Sequence, residues 1–492
     1  MPPSDSVLLT PLPEGRKPRR DDEFLCQVNF IDAKGAGVGR WGEYRARIPQ
    51  AVPGSTVLAQ VVKRRRDRLD SRILELREVS PEAVTPRCAH FGSCGGCSFQ
   101  GIAYPKQLEL MEELARRELA PILGALDAEL IRPVIGCDSE WSYRNKMDFS
   151  FSNRRWIEES EPEGSARDFA LGLHSRGRYD KVLAVARCEI QFEAGNGILA
   201  TASRLAREQN LSPWDTLEHV GLLRHLVLRH GVHTNEIMVY LVTSRDGEDV
   251  RAYAAAILEE HPEITTFVLG VHSGRAAVAM SEEEFVLYGP GMICERLEGL
   301  TFEISATSFF QTNTLAAERL MQVIREAAAV RPTDVLLDLY CGAGVIGLLL
   351  AKDVSEVVGL EREPSSIRDA NRNRERNGIH NVRFVAGEVE AVWSEESELP
   401  KPDVCIVDPP RAGLHPKVIG TLIKLAPPRL VYVSCNLAAA ARDLGPLLEN
   451  GYQLKAVQPV DLFPHTPHLE GVITLVRTGD GALAHIIHDH AD

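Results

Sequence analysis

Residues 334–361 read DVLLDLYCGAGVIGLLLAKDVSEVVGLE, and this stretch decides the fold class. The apolar run Asp334–Leu339 predicts a strand, Gly342-Ala343-Gly344-Val345-Ile346-Gly347 a tight turn, and Val345–Lys352 a helix. A second strand follows over Glu356–Leu360, so the unit is strand, turn, helix, strand. Upstream, a helix is expected over Thr314–Val330. Downstream come a helix at Ser365–Asn377, strands at Val382–Ala386 and Val404–Val407, and a helix at Pro416–Lys424. A strand at Leu430–Ser434, a helix at Leu437–Glu449 and a β segment within Tyr452–Arg477 complete the series. Strands alternating with helices of this length predict a doubly wound, parallel α/β sheet.

Outside this region the pattern changes. Phe24–Phe30, Ser55–Val62 and Asp70–Glu78 are short strand-like runs separated by glycine-containing stretches such as Lys34-Gly35-Ala36-Gly37-Val38-Gly39. They predict a small OB-like β-barrel. Between Cys88 and Leu300 the reading is α+β. Helices are expected at Tyr104–Leu119 and Val250–His261, strands at Lys146–Ser152, His225–Arg229, Ile237–Thr243 and Thr265–His272, and an acidic surface loop at Ile157–Arg167. The expected division is a mobile N-terminus over residues 1–21, a barrel over 22–80, a central domain over 81–300, the α/β domain over 301–478 and a tail over 479–492. A chain of 492 residues has room for about three domains.

The formal net charge of −14 argues against a uniformly basic nucleic-acid-binding surface, so any RNA contact needs local basic patches. Val61-Val62-Lys63-Arg64-Arg65-Arg66-Asp67-Arg68 is one such patch or a solvated strand end, and Arg144, Asn145 and Lys146 either touch phosphates or pair within the fold. No apolar run reaches the roughly 18 residues that span a bilayer, and residues 1–10 lack the pattern of a secretory signal, which together predict the cytoplasm. In that compartment the 10 cysteines read as metal or catalytic thiols rather than as a disulfide framework.

The glycine turn alone is ambiguous. G-x-G-x-x-G after a strand, with Glu361 about 20 residues on, suits a dinucleotide, with the pyrophosphate at the helix N-terminus. It suits equally a methyltransferase turn, where backbone approaches the cofactor and Glu361 holds ribose hydroxyls. Asp338 and Asp408-Pro409-Pro410 stand at strand ends that line the ligand crevice of open α/β sheets, and an Asp-Pro-Pro element in that place resembles methyltransferases, which favours the second reading. Enzymes that methylate exocyclic amines usually carry Tyr or Phe after such a Pro-Pro bend. Arg411 stands there instead and points to a different acceptor atom.

Cys435, in Ser434-Cys435-Asn436, ends another strand, and Glu470 follows in Phe463-Pro464-His465-Thr466-Pro467-His468-Leu469-Glu470. Each alone has a bland reading, a buried small residue or an ordinary surface acid. Together they meet one chemical need. Carbon 5 of uracil is a poor nucleophile until a thiolate adds to carbon 6, and after methylation a base must remove the carbon 5 hydrogen before the thiol leaves. A thiol ionises near pH ~8.5 in water, so such a site must favour the thiolate.

Cys88, Cys94 and Cys97 follow C-x5-C-x2-C and want a fourth ligand, either Cys137 or Cys188. Three-plus-one thiolate spacing suits an iron–sulfur cluster, with zinc the physical rival. His465 and His468 match no common zinc motif, and His485, His488 and His490 read as a solvated tail.

On these motifs the chain resembles the RNA uracil-5-methyltransferases, specifically the iron–sulfur branch with an N-terminal TRAM barrel. The specific signals are Ser305–Gln311, Asp338–Gly342, Asp408–Gly413, Ser434–Asn436 with Arg442-Asp443-Leu444, and Phe463–Glu470. The resemblance implies a Rossmann-like class I methyltransferase domain using S-adenosylmethionine, held by Gln311, Tyr340, Glu361 and Asp408. It implies Cys435 as nucleophile, Glu470 as base, and a 4Fe-4S cluster on Cys88, Cys94, Cys97 and Cys188. It further implies an RNA substrate, with ribosomal RNA favoured and a transfer-RNA uridine kept as the alternative, and no membrane and no obligate protein partner. Leu437 and Ala439 depart from the Pro and Thr common in the family, which touches loop shape rather than chemistry. The remaining alternatives are a nicotinamide-dependent oxidoreductase, a catalytically silent RNA-binding relic, and a cytosine-5-methyltransferase, against which the lack of a Pro-Cys pair speaks.

Overall fold

The computed structural model describes residues 10–13, 15–124, 127–276, 278–389 and 399–478. The histidines of the expected tail and residues 1–9 of the expected mobile N-terminus lie outside them. The chain forms two compact units, one of Met1–Leu114 with Phe463–His468, the other of Ala115–Leu462 with the residues from Leu469 onward.

The first unit contains a closed barrel of β1 (Glu23–Ile31), β2 (Gly37–Trp41), β3 (Tyr44–Ile48), β4 (Thr56–Arg64) and β5 (Arg68–Glu78), in the order β1-β2-β3-β5-β4. Alternation turns Phe24, Cys26 and Val28 of β1 inward, where they meet Trp41, Ile48, Val57 and Val61. Phe24 and Trp41 stack with ring centroids 4.5 Å apart. The indole N–H of Trp41 donates to the carbonyls of Thr10 at 2.9 Å and Pro11 at 3.2 Å, which ties residues just before the barrel to it.

Strands β2 and β3 were not expected, because the glycines before them read as a turn. Only Gly35, at φ +72°, serves that purpose. Gly37 and Gly39 are extended strand residues chosen for close backbone approach: a Cβ at Gly37 would sit 2.3 Å from the Ala51 carbonyl oxygen, and one at Gly39 2.2 Å from that of Gln27. Helix α1 (Tyr104–Leu119) forms over the expected residues.

The second unit holds two large sheets. The first has the order β13-β12-β11-β10-β6-β8-β9-β7. Its strands are β6 (Lys146–Ser152), β7 (Arg155–Trp156), β8 (Ala170–His174), β9 (Val182–Ala184), β10 (Leu223–His230), β11 (Ile237–Thr243), β12 (Thr266–Val271) and β13 (Glu283–Tyr288). Helices α2 (Glu193–Glu208) and α3 (Glu248–Glu260) pack together, and the Tyr253 hydroxyl donates to the Ala202 carbonyl at 2.7 Å. Helix α2 escaped the sequence reading because Gly195 and Gly197 weaken its first turns and no side chain caps it. A hairpin of β14 (Met292–Leu297) and β15 (Leu300–Ser305) leads onward.

The second sheet is the expected α/β element. Its members in chain order are α4 (Thr314–Ala328), β16 (Val335–Leu339), α5 (Val345–Leu350), β17 (Glu356–Glu361), α6 (Pro364–Arg376), β18 (Val382–Ala386), β19 (Val404–Val407), α7 (Pro416–Leu425), β20 (Arg429–Ser434), α8 (Leu437–Glu449), β21 (Tyr452–Val460) and β22 (Glu470–Arg477). The strand order is β18-β17-β16-β19-β20-β22-β21. Leu336, Leu337, Val357, Val358, Ile406, Val407 and Val431 are fully buried, as the strands of a sheet covered on both faces require. The sheet is not wholly parallel. The expected last β segment divides into two strands, and β22 runs antiparallel to both β20 and β21. Among the described residues no helix is long and apolar enough to cross a membrane.

The barrel's dependence on bare backbone is testable. Gly39→Val should lower the urea midpoint, with a loss of unfolding free energy of at least the ~1–3 kcal/mol typical of overpacking. Gly445→Ala, in open space on α8, should leave it unchanged or raise it. Equal midpoints for Gly39→Val and the parent would refute the close approach.

Candidate active site

The strand order reverses between β16 and β19, and the crevice lies at the carboxyl ends of the parallel strands. After β16 the chain turns sharply. Tyr340 is held at φ +62° and Gly344 at φ +80°, where Gly344 caps α5. Such a conformation in a tyrosine is strained and is typical of ligand-facing turns. The Gly347 amide donates to Asp338 Oδ2 at 3.0 Å, and a Cβ at Gly347 would lie 3.1 Å from that oxygen. Glu361, ending β17, accepts from the amides of Gly342 at 3.2 Å and Glu363 at 2.8 Å, which locks the turn against the next strand.

Asp338 Oδ1 is buried without a partner, and burial, with the charges of Asp408 and Glu361, pushes this carboxyl up to about 7. Burial likewise pushes Asp408, after β19, up to about 7. Two carboxyls held near neutrality in one crevice favour a cationic ligand, which restores their charge. S-adenosylmethionine, a sulfonium with an ammonium group, suits that donor set. Gln311 is half-buried just beyond β15, with its carbonyl held by Asn145 Nδ2 at 2.9 Å. Of its neighbours, Phe310 is buried and Phe309 is 68% exposed.

Cys435 follows β20 and is half-buried, and Asn436 caps α8 by accepting the Ala439 amide at 3.3 Å. The antiparallel pairing of β22 with β20 sets Gly471 opposite Ser434, so Glu470, the first residue of β22, lies at the same end of the sheet. Burial pushes Glu470 up to about 8, helped by Asp408 and opposed by Arg411. Burial and Glu470 raise the Cys435 thiol, while the guanidinium of Arg411, hydrogen-bonded to it, pulls the other way. Sequence reasoning had used Arg411 only to exclude an acceptor atom. The structure sets it beside both candidate catalytic groups.

What holds Arg411 there was also missed, although Arg442-Asp443 had been noted as a motif. Asn436 Nδ2 donates to the Arg411 carbonyl at 2.9 Å, and Arg442 Nη2 to the Ala412 carbonyl at 2.7 Å. The fully buried Asp443 accepts from the Leu414 amide at 2.6 Å, the Tyr432 hydroxyl at 2.7 Å and the Arg442 guanidinium at 2.7 Å. A Cβ at Gly413 would lie 2.3 Å from Asp443 Oδ2, so only glycine lets the loop settle.

The proposed cluster ligands stand differently. Cys88, Cys94 and Cys97 are half-buried in the first unit, and the Gly96 amide donates to the Cys94 sulfur at 3.4 Å. Cys188 belongs to the second unit, is 8% exposed and precedes α2, with its amide donating to Asn196 Oδ1 at 2.9 Å. The Cys137 thiol donates to the Asp461 carbonyl at 2.9 Å. Among the described residues no group of three or more His, Cys, Asp or Glu is arranged to hold a metal. His465 has a structural role: its backbone carbonyl accepts from the amides of Ser98 and Phe99, and its ring meets Gln107 at 3.2 Å.

The geometry agrees with what the chain is similar to. Residues 233–478 match the family model of tRNA (uracil-5-)-methyltransferases. An uncharacterized RNA methyltransferase of Chlorobaculum tepidum is 38% identical over 86% of this chain and 90% of its own length. One from Porphyromonas gingivalis is 36% identical over 92% and 99%. The solved structure of the Pyrococcus abyssi tRNA (uracil-54, C5)-methyltransferase with S-adenosyl-L-homocysteine superposes with a TM-score of 0.72 at 26% identity, covering 92% of this chain and 99% of that one. Similarity of this extent, with a glycine turn, an Asp-Pro-Pro loop and a strand-end thiol around one crevice, shows that the chain belongs to the tRNA (uracil-5-)-methyltransferase family.

Proposed function

We propose that this enzyme methylates carbon 5 of a uridine in RNA by covalent catalysis, with Cys435 as nucleophile and Glu470 as base. The observation that carries the reading is the antiparallel seating of β22, which brings Glu470 to the end of β20 where Cys435 and Arg411 lie. S-adenosylmethionine, when bound, supplies the methyl group, and Gln311, Tyr340, Glu361 and Asp408 would hold it.

The target base leaves its stack at an expense of a few kcal/mol. The Cys435 thiolate adds to carbon 6, and the carbon 5–carbon 6 π electrons move to carbon 5 and the carbonyl as an enolate. Once carbon 5 carries the methyl group, Glu470 takes its remaining hydrogen. The electron pair left behind expels the thiolate and restores the double bond. Arg411 offsets the burial that disfavours the Cys435 anion, and the Asp443 network keeps Arg411 in reach.

Ribosomal RNA as substrate, the barrel as a TRAM domain and the 4Fe-4S cluster rest on the sequence resemblance. Transfer RNA is the alternative suggested by the Pyrococcus abyssi neighbour. The cluster has no part in the steps above. If it is present, anaerobically prepared protein should carry about four irons, lost in Cys188→Ser but kept in Cys137→Ser. Stoichiometric zinc without sulfide would overturn it.

Cys435→Ala should abolish methylation of ribosomal RNA and any protein–RNA adduct. Glu470→Gln should accumulate a methylated, denaturation-resistant complex because elimination stalls. Normal turnover by Glu470→Gln would remove Glu470 from the mechanism, and an active Cys435→Ala would end the covalent route. Transfer to tRNA alone would select the alternative substrate.

The rate should also depend on pH in a defined direction. Cys435 and Glu470 must both be anionic; Glu470 is pushed up to about 8 and the thiol is held above its ordinary value, so the single-turnover rate should rise with pH through about 8 and go on rising as the thiol ionises. Arg411→Gln removes the opposing positive charge and should move that rise to higher pH, with Arg411→Lys between. A flat profile, or an unshifted one in Arg411→Gln, contradicts the assignment.

A further inference from the structure

The antiparallel register of β6 and β10 sets Lys146 directly opposite Arg229, so two cations leave the same face of the sheet side by side. Like charges in that position are destabilising. Arg229 is 3% exposed, its Nη2 donates to the Ser308 carbonyl at 2.5 Å, and its Nε is buried without a partner. Arg144, two residues before Lys146, also has a buried Nε without a partner. No carboxylate among the described residues forms an ion pair with Lys146. Asp148, next on this face, is largely exposed and lies 3.4 Å from His225 Nδ1. Asp369 of α6, which faces Arg229, is paired with Arg372.

The cations border the candidate site. Asn145, between Arg144 and Lys146, is itself structural. Its amide donates to the Thr312 carbonyl at 2.9 Å and its side chain to the Gln311 carbonyl and the Thr314 hydroxyl. Arg229 holds Ser308 at the other end of the same segment, which also presents the exposed Phe309. Asp148 acts on both Lys146 and Arg229 but is ion-paired with neither, so a desolvated group of cations at the margin of a reaction crevice keeps an unmet need for negative charge, and such a place binds an anion.

We propose that Lys146, backed by Arg144 and Arg229, binds a backbone phosphate of the RNA substrate next to the target nucleotide. The inference rests on the RNA-methyltransferase reading above. Burial, with the charges of Arg229 and Arg144, pushes the Lys146 ammonium down to about 8 against the pull of Asp148, and a phosphate beside it would restore its charge.

The test is RNA binding by the full chain as a function of salt. Lys146→Met should weaken binding several-fold and flatten the slope of log affinity against log salt by about 0.7–0.9, one phosphate's share. Lys146→Arg should restore the slope, and calorimetric affinity for S-adenosylmethionine should not change. The same Lys146→Met should hold or raise the thermal midpoint, because it removes a like-charge contact and keeps the aliphatic stem. An unchanged slope with parent RNA binding intact overturns the phosphate site, as does a lowered midpoint with an unchanged slope, which marks Lys146 as structural. If the parent itself fails to bind RNA at low salt, the underlying functional reading fails.

Discussion

The site depends on one strand running against its neighbours. Because β22 is antiparallel to β20, its first residue rather than its last lies at the carboxyl end of the sheet. A parallel strand would have carried Glu470 to the opposite edge. Register matters as much as direction, since a slip of one residue turns a side chain to the other face. Here the register is secured at Gly471 opposite Ser434, where a Cβ would lie 2.5 Å from the Leu437 side chain at the start of α8.

Around that placement the crevice stores carboxyls away from water. Asp338, Asp408 and Glu470 are each raised by burial, and each would be relieved by positive charge. Arg411 meets part of that need beside Cys435 and Glu470. Its position is not left to a mobile loop: Asn436, Arg442 and Asp443 hold the backbone from Arg411 to Leu414 with bonds of 2.6–2.9 Å. The Asp443 carboxylate is itself buried, so the loop's shape and the hydrogen bonding of an interior charge are one requirement.

The central sheet follows a related logic with the opposite sign. Its residues beside Ser308–Thr312 divide into those that hold the segment, Asn145 and Arg229, and a lysine facing like charges. Lys146 opposite Arg229 is a like-charge pair that costs the sheet stability.

Much of the α/β domain was legible in the sequence. A buried parallel strand must be apolar on both faces, so runs such as residues 335–337 and 404–407 declare themselves, and the glycine turn and strand-end thiol mark the crevice edge. The helices from α4 to α8 follow from the same alternation. Other features were decided by contacts distant in sequence. Gly37 and Gly39 look like turn residues until the Ala51 and Gln27 carbonyls are seen against them. The direction of β22 follows from the segment between it and β21, which carries no periodicity to read. Arg411 looked like a missing aromatic until the chain from Tyr432 to Asp443 closed over its loop. Composition and period reveal which residues must leave water. Which of them meet depends on pairing direction, register and the hydrogen bonds of buried polar groups, and those exist only once the chain has closed on itself.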